Sequence, residues 1–282
     1  MYGGRENRRF RTIIVSAALI AFAAGIWFEV FHIDPKSGYP LDRAGTIYSV
    51  TALCISAGLP VLLGVFRAGR KICLDLGRSV PAGIASAAAA LSAGAFCVFG
   101  FAECRAEYGS FSGAFSSEAG MHGVMTAVCT VAAVPSAVYL ATVSAAYFGK
   151  LKKGSLVFGI FLAVWYFARL LMFETAGALN QNRWRNSIAL AACVAAVLFT
   201  ARIYSMYAYG RKLSARGSAL IAVFCICTSF CAGLPSAVSY IMAGDLLNAA
   251  GSAVDGMAGF MALMSLRRSG KGGDDLEEQE MG

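Results

Sequence analysis

Eight apolar runs divide the chain, at residues 12–31, 45–66, 80–101, 122–147, 155–173, 186–208, 218–242 and 246–266. A helix rises about 1.5 Å per residue, so roughly 20 residues cross a hydrocarbon core about 30 Å thick. Inside that core no water satisfies a backbone N–H or C=O, so a segment that crosses it must be helical or part of a closed barrel. The runs predict an all-α integral membrane bundle of about eight transmembrane helices. The run from 218 to 266 is the hardest to divide. Its one polar break, AGDLLN at 243–248, suits a hairpin turn.

Composition agrees. The chain is 58% hydrophobic and 14% charged, with a mean hydropathy of +0.64. Soluble domains sit near 45–50% apolar and about 25% charged. The spans leave room for one transmembrane helical domain over 1–269, followed by an acidic, Gly-rich tail at 270–282 that reads as disordered.

The net charge of +8 could suggest nucleic acid, but the basic residues stand in short clusters between the runs, which is a topology signal. Arg5, Arg8, Arg9 and Arg11 precede the first run. Arg67, Arg70, Lys71 and Arg78 follow the second, and Lys150, Lys152 and Lys153 follow the fourth. Arg211, Lys212 and Arg216 follow the sixth, and Arg267, Arg268 and Lys271 follow the last. These seventeen fall on one side of an alternating path. Lys36, Arg43, Arg105, Arg183 and Arg185 fall on the other. The asymmetry places both termini in the cytoplasm and favours an even number of spans. A cleavable signal peptide is the alternative for the first run, with AFA at 21–23 as the cleavage site. The apolar stretch continues through GIWFEVF, beyond an ordinary signal core, so the run is read as a span.

Nine cysteines lie mostly within the runs, where the thiol behaves as a small hydrophobe. Cys104 is read as lying in an outer loop with no outer partner, so no disulfide framework is expected.

One carboxylate stands in the middle of the last run. Asp255 is about ten residues from either end, or ~15 Å by helix rise, and a short side chain cannot snorkel that far. On a helical wheel Asn248, Gly251, Ser252, Asp255, Gly259 and Ala262 share one face. Leu246, Met257, Phe260, Met261 and Met264 share the opposite face. The small, polar face packs on helices and the bulky face meets lipid, so Asp255 is expected to point into the bundle. An ionised Asp at the bilayer centre costs about 2.5–3.5 kcal/mol on insertion scales. It must be protonated, paired, or in contact with a water-filled cavity.

Arg169 and Arg202 are the available partners. Either could instead snorkel to its own interface. Arg169 is preferred, because Tyr166 and Glu174 make its end of the helix more polar. The binding or transport candidates are therefore Asp255, Arg169, Arg202, Asn248 and Glu174. Asp255 admits two readings: a hydrogen-bonded group that fixes helix packing, or a proton- or cation-coupling acid on a transport path.

Prolines 60, 135 and 235 interrupt three runs in related surroundings. TALCISAGLP at 51–60 and TAVCTVAAVP at 126–135 match at five positions, and AGLP recurs at 232–235. Interrupted helices in repeated segments mark transporters, although chance in an Ala-rich chain gives the same picture. His32 and His122 lie near the outer surface, each one helical turn from an acid, Glu29 and Glu118. That level could hold a divalent ion, but the spacing matches no ligand motif and no metal is expected. Cys227 and Cys231 share a face, which reads as small-residue packing.

The outer loop FHIDPKSGYP at 31–40 carries Asp34, Pro35, Ser37, Gly38 and Tyr39. It resembles the D-P-x-[S/T]-G-aromatic first loop of an uncharacterised group of polytopic membrane proteins of Gram-positive anaerobic bacteria. The resemblance implies a bacterial plasma membrane and no particular activity.

There is no Walker loop, G-x-S-x-G, H-E-x-x-H or dinucleotide fingerprint, so neither an enzyme nor a cofactor is expected. The expected surroundings are the lipid bilayer and an unidentified small molecule or ion, not nucleic acid. The functional expectation is a small-molecule or ion transporter using the mid-membrane acid. The alternative is a non-transporting subunit, scaffold or sensor working with partner proteins. An intramembrane enzyme comes last.

Overall fold

A computed structural model describes residues 2–34, 40–65, 72–74, 77–149, 158–176, 187–209 and 215–268. The described helices are α1 (Tyr2–Phe31), α2 (Arg43–Val65), α3 (Val80–Tyr108), α4 (Gly120–Tyr147), α5 (Phe158–Ala176) and α6 (Ser187–Tyr209). They continue with α7 (Ala215–Thr228), α8 (Leu234–Met242) and α9 (Leu246–Ser265). A π turn, Ser229–Gly233, joins α7 to α8 without a break, so Gly217–Met242 forms one apolar rod.

Among the described residues six helices are long and apolar enough to cross a membrane: Thr12–Phe31, Arg43–Leu63, Val80–Tyr108, Gly120–Tyr147, Gly217–Met242 and Leu246–Ser265. Gly159–Met172 and Leu190–Ser205 are shorter apolar helices. The described residues thus form a predominantly helical bundle whose long apolar helices fit a multi-pass membrane protein. The acidic tail at 270–282 and residues 35–39 of the first loop lie outside the described residues.

Side-chain size decides the packing. α3 buries Ala82, Ala85, Ala89, Ala93, Phe96 and Gly100 in one stripe. Small residues let helix backbones approach where no hydrophobic effect drives them together. A methyl group on Gly100 would run into Thr130 of α4. Large side chains such as Ile13, Leu91, Val98 and Phe167 point outward. In a lipid solvent such exposure carries no penalty.

The most enclosed helix is α9, packed against α3, α6, α7, α8 and the π turn. This corrects in part the expectation of a lipid-facing side, where Leu246 stays exposed. Met261 is buried, and Met257, Phe260 and Met264 pack partly into the core. The wheel separates small from large residues but does not reveal how many neighbours surround a helix.

The caps account for several boundaries. Ser79 caps α3 and accepts the Ala82 N–H, and Gly109 ends it in the left-handed conformation at φ 71°. The helix therefore runs well past the apolar run, and Cys104 is a buried helical residue beside Ala114 and Ala127, not a loop residue. Between α8 and α9 the turn is tight. Gly244 has φ 78°, and Asp245 caps α9 by accepting the Asn248 N–H at 3.0 Å. The LLN of the expected hairpin already belongs to the helix. Two three-residue strands, Ile72–Leu74 (β1) and Leu266–Arg268 (β2), pair antiparallel and tie the segment before α3 to the end of α9.

The π turn has a local cause. Pro235 has no N–H to give to the carbonyl four residues back, Cys231, and its ring crowds that carbonyl. Widening the preceding turn accommodates the misfit. The Tyr48 hydroxyl donates to the Cys231 carbonyl at 2.6 Å. Phe28 stacks on the Tyr48 ring at 4.3 Å between centroids, so α1 and α2 brace the interruption.

Candidate functional site

The helical period puts Leu162, Trp165, Tyr166, Arg169 and Met172 on the buried face of α5, while Phe161, Val164 and Phe167 face outward. Arg169 therefore projects into the bundle. From α9, Asp255 projects toward it. Arg169 Nη1 donates to Asp255 Oδ1 at 2.9 Å, and Nη2 donates to Oδ2 at 3.1 Å. Only 1% of Arg169 and 2% of Asp255 is exposed. The planar guanidinium fork matches both carboxylate oxygens, the strongest arrangement available to such a pair. Each charge cancels the other where neither could stand alone in hydrocarbon.

Three features hold the guanidinium in place. Its Cζ lies 5.0 Å from the centroid of the Trp165 ring, a cation–π contact. Trp165 is itself fixed edge-on by Phe96 at 5.3 Å. Gly251, one turn from Asp255 on α9, supplies the third feature. A Cβ there would fall 2.8 Å from both Cζ and Nε of Arg169, so the guanidinium lies against bare helix backbone.

The π turn closes the other side of α9. Ser229 Oγ donates to the Asp255 carbonyl at 2.8 Å. A Cβ on Gly233 would sit 3.1 Å from the Gly256 nitrogen, and one on Gly259 would collide with Ser229. Gly233, Gly256 and Gly259 thus allow near backbone-to-backbone contact where the helix is interrupted.

Two donors beside the pair are unused. Tyr166 Oη and Trp165 Nε1 are buried with no hydrogen-bond partner among the described residues. Tyr166 is within electrostatic range of both Asp255 and Arg169. The thiols of Cys193 and Cys225 are within range of Asp255, and Cys129 of Arg169.

The other candidates lie elsewhere. Arg202 Nε donates to Ser218 Oγ at 2.7 Å, linking α6 to α7 while half-buried. Asn248 Nδ2 donates to Asp245 Oδ2 at 2.7 Å, so Asn248 belongs to the α9 cap, about 10 Å along the helix from Asp255. The side chain of Glu174 lies outside the described residues.

At the far end of α1, His32 Nδ1 is 2.7 Å from Asp42 Oδ2, and Asp42 Oδ1 accepts the Gly45 N–H at 2.8 Å. The Gly45 N–H, and then the neighbouring His32, hold the Asp42 carboxyl below its usual value. Glu29 is buried, with its carbonyl accepting from Ser239, and Glu118 is exposed. The His122 carbonyl accepts from Thr126. Among the described residues no group of three or more His, Cys, Asp or Glu could hold a metal ion.

A groove of about 180 Å³ between α5 and α6 is lined by Gly159, Leu162, Ala163, Val197, Thr200 and Tyr204. It is mostly apolar, since the Thr200 hydroxyl is spent on the Ala196 and Val197 carbonyls.

Sequence reasoning missed Asp42, Tyr48 and Ser229. Asp42 acts across a neighbouring turn, whereas the roles of Tyr48 and Ser229 rest on contacts between elements far apart in the chain. Only the 231–235 spacing of Cys231 and Pro235 hinted that some donor had to reach that carbonyl. Compared with known protein families, curated proteins and solved structures, the chain matches none.

Proposed function

We propose that this chain is an eight-span protein of a bacterial plasma membrane, with both termini cytoplasmic, and that it moves a small molecule or ion across that membrane. The segregation of seventeen basic residues against five supports the orientation. The shorter apolar helices Gly159–Met172 and Leu190–Ser205, added to the six long ones, support the count. The bacterial membrane rests on the resemblance of the first outer loop.

One observation carries the transport reading: a desolvated Arg169–Asp255 fork seated beside an interrupted helix. Intramembrane charges are expensive and by default mark ion and substrate paths. Broken helices at membrane depth are the usual frame of such sites. The π turn and the glycine contacts give α7–α8 a place to pivot against α9. In this reading the closed fork is the occluded state, and opening it exposes two charges to a ligand.

A second reading keeps the pair as a clamp in a non-transporting subunit or scaffold. The near-complete burial of both charges favours it, because a packing clamp needs no access.

Purified protein reconstituted in liposomes loaded with a pH-sensitive dye separates the two. Transport predicts dye responses to an imposed gradient of some small organic or inorganic salt. Asp255→Asn abolishes them while the protein still elutes as a folded monodisperse species. A wild-type protein that is silent toward the whole salt panel, and that purifies with a stoichiometric companion under gentle solubilisation, contradicts transport and supports the scaffold.

A further inference from the structure

We propose that the Arg169 fork is a binding site for a small carboxylate anion, and that Asp255 takes up one proton for each anion bound. This rests on the transport reading and names its ligand class and coupling.

The first ground is shape. Arg169 already holds a carboxylate bidentately, that of Asp255, at 2.9 and 3.1 Å. A ligand carboxylate is the same group in the same fork. The second ground is the balance of donors and acceptors. Beside the fork, Trp165 Nε1 and Tyr166 Oη are buried and make no hydrogen bond among the described residues. Buried polar groups in native proteins are nearly always partnered, so an unpartnered pair next to a cation points to a missing acceptor. A cationic ligand would find Asp255 alone, whereas an anionic one finds Arg169 and two further donors.

The third ground is what becomes of Asp255. The titratable groups in its electrostatic range are Arg169 and Tyr166 from α5, Cys193 from α6 and Cys225 from α7. The buried face of α3 adds only Cys97 and Cys104, and the buried residues of α8 include no titratable group. Arg169 is the one cation in this set. Once the ligand occupies it, no second cation among the described residues near Asp255 balances the freed carboxylate, which sits about 15 Å from either helix end. An unpaired ion at that depth neutralises itself by taking a proton. Charge then balances: Arg169⁺ with Asp255⁻ becomes Arg169⁺ with ligand carboxylate⁻ and neutral Asp255. One proton bonds to Asp255 Oδ and one anion enters, with no net charge moved.

Binding is measured apart from flux, on purified protein in nanodiscs, with sodium acetate, lactate and benzoate as probes. Sodium chloride and methylammonium chloride serve as controls. In wild type, at least one carboxylate raises the thermal midpoint where chloride and methylammonium do not. Its apparent Kd rises about tenfold per pH unit over the range in which one proton is taken up per anion. A pH dye in weak buffer registers that proton. Asp255→Asn, with its fork free, binds the same probe more tightly and without pH dependence. Arg169→Gln binds none. The proton-uptake measurement uses wild type alone, so the test survives a variant that fails to fold.

No carboxylate effect in wild type, or carboxylate binding without proton uptake, overturns the proposal. If the liposomes still transport another solute, only this inference falls. If they transport nothing, the transport reading falls with it.

Discussion

Replacing Gly251 by alanine probes how tightly the guanidinium is held. The added Cβ would lie 2.8 Å from Arg169 Cζ, 2.8 Å from Nε and 2.9 Å from Nη2. Carbon contacts relax near 3.5–4.0 Å, so the guanidinium must retreat by roughly 0.6–1.2 Å. It cannot swing freely, being forked to Asp255 and resting on Trp165. A retreat of that size stretches the 2.9 and 3.1 Å bonds beyond hydrogen-bonding range for at least one of them. A hydrogen bond to a charged group is worth about 1.5–3 kcal/mol. Alanine returns up to about 1 kcal/mol of helix propensity. The net expectation is a loss of about 0.5–2 kcal/mol, or roughly 1–8 °C in the thermal midpoint. Tryptophan fluorescence on heating in mild detergent reads it. Gly94→Ala on α3 is the control, because a Cβ there meets nothing within 4 Å. In an Arg169→Met background, the Gly251→Ala loss disappears. A Gly251→Ala protein as stable as Gly94→Ala refutes the reasoning, as does an equal loss in the Arg169→Met background.

Two further outcomes are expected. Tyr48→Phe removes the 2.6 Å donor from the Cys231 carbonyl that Pro235 cannot serve, costing about 1–3 kcal/mol in the same unfolding assay. Pro235→Ala restores a backbone donor and shrinks that cost, and an unchanged cost speaks against the pairing. The depressed Asp42 carboxyl stabilises the start of α2 at all pH above its ordinary titration near 3.8, and this contribution is lost as pH falls through its lower folded value. Exchange protection of the Gly45 N–H, corrected for intrinsic rate, is therefore flat from pH 7 to about 4 and falls below that. Asp42→Asn removes the fall, and a loss already between pH 7 and 5 contradicts the assignment.

The spans were legible because apolar length is a one-dimensional property, and each described run became a helix. The inward direction of Asp255 was legible for a related reason: residue size around one helix encodes which side meets small neighbours. The preference for Arg169 over Arg202 came from local polarity, and Arg169 is the residue forked to Asp255, while Arg202 is engaged by Ser218. The burial of most of α9 was not legible. Met261 looks like a lipid-facing residue until α3 and the π-turn rod are placed around α9. Cys104 was misplaced because a cap, Gly109, ends α3, and not the loss of hydropathy. The π turn depends on a proline, a glycine and a tyrosine from another helix acting together. His32 found Asp42, ten residues away, and not the acid one turn behind it. That choice depends on how the start of α2 comes back beside the end of α1, which leaves no mark in residue spacing.

The account depends on one buried charge neutralising another. A double-mutant cycle measures this directly, with Arg169→Met, Asp255→Leu and the two combined compared by thermal unfolding in the same detergent. Each single change strands a charge and should cost about 3–5 kcal/mol, while the double, which strands none, should return close to wild-type stability. Additive losses in the double variant would mean that the two charges do not share a site, and would contradict the account.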